Sequence, residues 1–500
     1  MAAPPEAPRR RRLRGRAIAL IAAAVGAVLI VIAVVLATGG GGGSASNSAQ
    51  PLVPHSRAEG GSFGPLRYDR AHNATFERRA AAGFAHPLYA KSPGGVAATV
   101  QRVERWRPRI ERAAAAAGID ADTLEAIVFL ESAGDPNAMA GPDPHAAAGL
   151  TQILPGTATQ LLGMHVNLPA SIRITKELSR AQRKARAALV AKLLRDRQRV
   201  DDRFDPNKAL SGTARYLRQS RSHFPRKDLA VEAYHMGIGN LQQVLSAFGG
   251  GDDTPYAQLY FDGSPARHPA AYAKLFSLGD DSATYWFRVL AAKEIMRLAR
   301  TDPAELQRRV TLQTQKNSSE NVLHPPGQTT VFATPSDLKQ AVARRVLLPL
   351  DARLLLRAGV RVDPHMGELA PKLGQKPALY RALRPEALAV LAYVGAGVHA
   401  FVGRGALTVT STARDSRYQQ LLLGMNLEAT PNYSLHTTGY AFDIARHYTA
   451  PRQAYAFQFF LDRLQALNLI AWVREPGAIH ITASRDAAAL EPALRRLGLG

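Results

Sequence analysis

The chain begins with a polar, basic stretch carrying Arg9 to Arg12, Arg14 and Arg16, and then runs without charge from Ala17 to Thr38 through Ala, Ile, Val and Leu. An apolar run of about 22 residues is long enough to cross ~30 Å of hydrocarbon as a helix, and longer than the apolar core of a cleaved secretory signal. Arginines on its N-terminal side keep that end in the cytoplasm. Residues 1–16 therefore read as a cytoplasmic basic tail and 17–38 as a transmembrane helix. Everything that follows is expected outside the cell membrane, held to it by this single pass. Gly39 to Gly43 open a Pro-, Gly- and Arg-rich linker over 39–95, with some local helix near 71–82.

From 96 to 300 the apolar positions recur at three- and four-residue spacing, which predicts an all-α domain. Within it, 172–199 is dense in Arg, Lys, Ala and Leu and reads as an inserted basic amphipathic helix or hairpin, with its charges on a solvated face. The polar interval 301–345, with Asn317-Ser318-Ser319 and Pro325-Pro326-Gly327, reads as a second linker. The remainder, 346–500, mixes helical stretches with the β-branched Leu407–Ser411 and a short strand near Ala478–Thr482, so an α+β domain is expected.

Composition narrows the chemistry. Five hundred residues that are 46% hydrophobic suit two domains rather than one core. The net charge of +23 would attract a polyanion. An extracytoplasmic location makes no nucleic acid the expectation and leaves lipid head groups or anionic wall polymers as partners. Cysteine is absent, so any metal site must be built from His, Asp and Glu.

The first candidate site is a carboxyl at the end of a helix. Asp120 is a suitable N-cap for Ala121 to Glu131, which Gly134 and Pro136 terminate. Leu124, Ile127, Val128 and Glu131 share one face, whereas Glu125 is expected off it. A carboxyl against apolar surface has its pKa raised, as a general acid near neutral pH requires. Downstream stand Gly149-Leu-Thr-Gln152-Ile-Leu-Pro155 and Glu232-Ala-Tyr234-His-Met-Gly237-Ile-Gly239-Asn240. In order and spacing these blocks resemble those of the soluble lytic transglycosylases, whose fold is lysozyme-like. The resemblance implies peptidoglycan as substrate, no cofactor for this domain, and Glu131 as the single catalytic acid and base. Glu131 would protonate the oxygen joining N-acetylmuramic acid to N-acetylglucosamine and then take the proton of the muramic C6 hydroxyl as a 1,6-anhydro ring closes. Ser132, Gln152, Tyr234 and Asn240 would hold the glycan or the acid, Ser132 by fixing the end of the helix. Asp135 and Asp143 are the nearby carboxylates if the reaction is hydrolytic instead. The chain departs from the family at Thr151, where Met is usual, and at His235 and Met236, where Asn and Ala are usual. These changes are expected on the groove wall.

The second candidate site is Ser434-Leu-His436-Thr-Thr-Gly439-Tyr-Ala-Phe-Asp443, followed by Glu475 and His480. Two imidazoles and a carboxylate suit zinc with one position left open. These blocks resemble zinc D-Ala-D-Ala carboxypeptidases and related wall endopeptidases. The resemblance implies Zn2+ on His436, Asp443 and His480, Glu475 as general base, and Arg414 against a substrate carbonyl or carboxylate. Gln419 and Ser434 would contact the peptide. Four residues separate Glu475 from His480 where two are usual, which loosens the base assignment. The sequence thus suggests a membrane-anchored, two-headed wall enzyme. A transglycosylase with a non-catalytic wall-binding module, and a peptidoglycan-binding scaffold, are the alternatives.

Overall fold

A computed structural model describes residues 67–314, 318–423, 433–496 and 498. The expected transmembrane helix at 17–38 lies outside them. The described chain forms two compact units, one of Lys91–Gln219 and one that joins the residues up to Ala90 to those from Ser220 onward.

The first unit is helical: α1 (Val96–Glu104), α2 (Arg107–Ala117), α3 (Ala121–Ser132), α4 (Leu168–Arg183) and α5 (Ala187–Val200). Helix α3 is its centre. Asp120 caps it through Asp122 N, and residues Thr123 to Phe129 are all buried. Glu125, expected off the buried face, is itself fully buried, because α3 is covered all round; Arg107 meets its carboxylate at 3.1 Å. Helices α4 and α5 form the expected basic hairpin. It has a small core of its own, Ile174, Leu178, Ala181 and Leu193, and Arg197 stacks on Phe204 with its guanidinium carbon 3.7 Å from the ring centre. The hairpin is thus more than a solvated face.

The second unit carries α6 (Lys227–Met236) and α7 (Tyr285–Thr301), which pack among helices, and α8 (Ser318–Leu323), α9 (Pro385–Val402) and α10 (Pro451–Ala466), which pack on a five-stranded sheet. Its strands are β1 (Val360–Val362), β2 (Leu407–Ser411), β3 (Ala441–Ala445), β4 (Ile470–Arg474) and β5 (Ala478–Ala483), in the order β1-β2-β3-β5-β4. Only β1 and β2 run parallel. The strands expected at Leu407–Ser411 and near Ala478–Thr482 are β2 and β5.

Two intervals read as linkers are structured where they are described. Within 39–95, the helix Asn73–Gly83 packs so closely that a Cβ on Gly83 would lie 2.2 Å from the Gln465 carbonyl oxygen. Within 301–345 lie the helices Pro303–Thr314, α8 and Pro335–Ala343, the last opened by a reciprocal capping box between Thr334 and Asp337. Polar composition is misleading there because the buried side of α8 is itself polar, with Glu320, Asn321 and His324 all inside.

Candidate functional site

In the first unit, Glu131 occupies the last turn of α3 and is half-buried. Ala133 and Gly134 end the helix in left-handed conformations. Gly134 has no room for a side chain, since a Cβ would sit 2.8 Å from the Arg102 backbone. Ser132 Oγ donates to the Leu150 carbonyl at 2.7 Å and thereby ties the end of the helix to the Gly149–Gln152 turn. Gln152, itself at φ +51°, spends its amide N–H groups on the carbonyls of Ala138 and Gly149.

A buried ion pair missed in the sequence organises this turn. Arg203 and Asp201 are both inaccessible to water and pair at 2.8 Å. The remaining Arg203 donors reach the carbonyls of Pro144, Ala146 and Ile153. A Cβ on Gly149 would collide with the Arg203 carbonyl, so glycine is required there. Arg197 reaches from the hairpin to Asn137 Oδ1 at 2.9 Å, and burial pushes its guanidinium down to about 10. Asp135 is exposed and Asp143 half-buried. Asp135 accepts from Asn137 N, and Asp143 from the backbone and ring of His145.

Thr151 is not on a groove wall. It is fully buried and accepts a hydrogen bond from Thr213 Oγ at 2.8 Å, so a polar pair stands where an apolar side chain was expected.

The third block lies in the second unit. Tyr234 on α6 and Asn240 just beyond it are half-buried, and Asn240 donates to the Met236 carbonyl at 3.0 Å. Met236 is buried in the core, and His235 packs its ring on Tyr285 with Nδ1 3.0 Å from Ser282 Oγ. Glu232 is fully buried, where its carboxylate accepts from Trp286 N at 2.8 Å. Desolvation holds its pKa well above the carboxylate range.

Strand register builds the second site. Ser411 on β2 faces Asp443 on β3, and Asp443 faces His480 on β5, so the three side chains stand in a row. His436 comes from the 3-10 turn Leu435–Thr438. Gly439 closes that turn at φ +80°, where a Cβ would strike Leu347. Ligand atoms of His436, Asp443 and His480 all lie within 4.8 Å of one another. His436 Nε2 is 3.2 Å and His480 Nδ1 2.7 Å from the same Asp443 oxygen. His436 Nδ1 lies 2.9 Å from the Thr412 carbonyl, and His480 Nε2 3.0 Å from Glu320.

If both rings are neutral and donate outward to those acceptors, their remaining lone pairs converge on a carboxylate oxygen. Something positive must then sit among them. The donor set, with its two outward hydrogen bonds, fits zinc. With protons in that role, burial and the neighbouring Arg414 lower His436 to about 4. Glu320 and Asp443 overcome the desolvation of His480 and raise it well above its ordinary value. Asp443, despite its burial, is held well below the usual carboxylate range by the two histidines.

Arg414 donates to Ser411 Oγ and to Gln419 Oε1 and lies 3.5 Å from Asp443. It borders a pocket of ≈ 120 Å³ lined also by Met366, Glu368, Tyr380, Ser411 and Tyr418. Ser434 is buried at the start of the His436 turn. Glu475 sits at the β4–β5 hairpin turn, half-buried, with its N–H on the Ala478 carbonyl. Its charge contributes to the field at Arg414.

Residues 108–174 and 181–256 match the family model described as the transglycosylase SLT domain. Those stretches contain Glu131, Ser132, Gln152, Tyr234 and Asn240. No curated protein matches the chain. The chain therefore contains a lysozyme-like lytic transglycosylase domain, an enzyme whose substrate is peptidoglycan.

Proposed function

We propose that this lytic transglycosylase cuts the bond between N-acetylmuramic acid and N-acetylglucosamine with Glu131 alone, and leaves a 1,6-anhydro end. Glu131 donates its proton to the departing glycosidic oxygen. The resulting carboxylate takes the proton of the muramic C6 hydroxyl as that oxygen closes on C1, so the acid is regenerated and no water is consumed. The observation that carries this reading is the placement of the half-buried Glu131 on the last turn of a helix whose middle is buried, which Ser132 ties to the Gly149–Gln152 turn. Digestion of purified sacculi tests it. Anhydromuropeptides are expected, and reducing-end products alone would mark a hydrolase. Glu131→Gln should slow their release by about 10²–10⁴-fold with an unchanged melting curve.

The second site supports a second activity, a zinc peptidase acting on stem peptides. Bound zinc would supply Lewis acidity toward a peptide carbonyl and an acidified water. His436, Asp443 and His480 would hold it, Arg414 would orient the substrate carbonyl or carboxylate, and Glu475 would hold the transferred proton. The convergence of three ligand atoms with outward hydrogen bonds on both rings favours this over a module that only binds the wall. One zinc per chain and shortened stem peptides are expected, both lost in His436→Ala. A metal-free wild-type protein that leaves stem peptides intact would favour the binding module. The apolar run at 17–38 supports a single-pass anchor with both activities outside the membrane. Fractionation of cells with and without that run tests this, because the truncated chain should leave the membrane fraction.

A further inference from the structure

Glu320 lies 160 residues before His480, inside an interval whose composition reads as a linker. The structure buries it to 4% exposure against the sheet. Its Oε2 is 3.0 Å from His480 Nε2 and 3.3 Å from the hydroxyl of Thr482, the next residue on the same face of β5. The helix that carries it is pinned beside that strand. His324, one turn on, has Nε2 2.6 Å from the Ala483 carbonyl and stacks on Tyr440 at 3.8 Å.

With a cation between His480 Nδ1 and Asp443 Oδ1, the Glu320 carboxylate, as a hydrogen-bond acceptor, keeps the ring hydrogen on Nε2. Nδ1 then carries the lone pair, and it is Nδ1 that points to Asp443 Oδ1, where His436 Nε2 also points. Glu320 stands on the opposite ring nitrogen, so in this arrangement it orients a ligand rather than serving as one.

Resting on the zinc reading above, we propose that Glu320 is the positioning residue of the metal site. Its carboxylate sets the tautomer and direction of His480 and raises the basicity of Nδ1 toward the cation. It comes from a helix that sequence assigns to neither catalytic domain.

The test is zinc affinity of the full-length chain in detergent, measured by competition with a chromophoric chelator. The Co(II) absorption spectrum provides a signature of ligand geometry. Wild type is expected to bind one zinc. Glu320→Gln, isosteric but uncharged, should weaken binding by about 10–100-fold and change the Co(II) spectrum. Glu320→Asp should recover part of the affinity, which a merely structural role would not produce. Circular dichroism of the metal-free proteins identifies which variants are folded. Folded Glu320 variants with wild-type affinity and spectrum overturn the assignment of Glu320 while zinc binding by the wild type stands. A folded wild type that binds no zinc overturns the zinc reading and this inference with it.

Discussion

A guanidinium sealed from water must have its donors occupied, and Arg203 places its fork on Asp201 and on three carbonyls of the 144–153 segment. Lysine keeps the charge and loses the planar fork. Arg203→Lys should therefore cost about 1–3 kcal/mol in denaturant unfolding for each buried carbonyl left without a donor. Sacculus digestion should fall with it, because Gln152 and the Leu150 carbonyl hang on the same turn. The Thr151–Thr213 hydrogen bond gives a finer test. Either Thr→Val change alone removes this buried hydrogen bond and should cost about 1–2 kcal/mol, while the double change should cost less than the two singles together. A double mutant that sums the singles would mean the pair is not coupled. The candidate sites were legible in the sequence where the pattern is local: Glu131 was picked out by its helix, and His436 and Asp443 by a short motif. Arg203 and Glu320 were not, because nothing near them in sequence marks the carbonyls or the ring they serve.

Helices show where periodicity succeeds and where burial overrides it. Pro385–Val402 is long and apolar enough to cross a membrane, yet 72% of its apolar window is buried within the protein. Gly397 lets Phe460 approach so closely that a Cβ would lie 2.2 Å from the ring. Hydropathy alone cannot separate such a core helix from a span, and with Arg381 and Arg384 just before Pro385 a basic N-terminal flank does not separate them either. The short helix α8 was illegible for the opposite reason, since it buries polar groups rather than apolar ones. His324, the residue after it, is fully buried, and burial lowers its pKa to about 4 from the ordinary 6.5. The unfolded chain therefore binds the extra proton between those values. The stability from keeping this ring neutral is complete above pH 6.5 and is lost as pH falls toward 4, by roughly 3 kcal/mol. His324→Phe preserves the stack on Tyr440 and should flatten this acid limb, at a loss of about 1 kcal/mol at neutral pH from the missing hydrogen bond. Denaturant midpoints measured from pH 7 to pH 4 decide it. An equally steep limb in the variant would assign the titration elsewhere.

At the scale of the whole chain, the question is whether the two proposed chemistries depend on each other. On the proposed reading Glu131 moves one proton between two sugar oxygens, and no described residue of the Lys91–Gln219 unit belongs to the clustered His and Asp ligands of the other. The glycan cut should therefore need no metal. On the proposed reading, dialysis against a strong chelator removes the stem-peptide products and leaves the yield of anhydromuropeptides unchanged, and added zinc restores the former. Glu131→Gln should give the converse pattern. On the same reading the pairing would matter because cross-linked wall is held by glycan and peptide bonds together, so an enzyme that cut both at one tethered point would open the mesh there. If chelation abolished both product classes, the metal would be holding the folded chain together as well as serving the peptide site. A parallel drop in the melting temperature of the chelated protein would then identify that structural role.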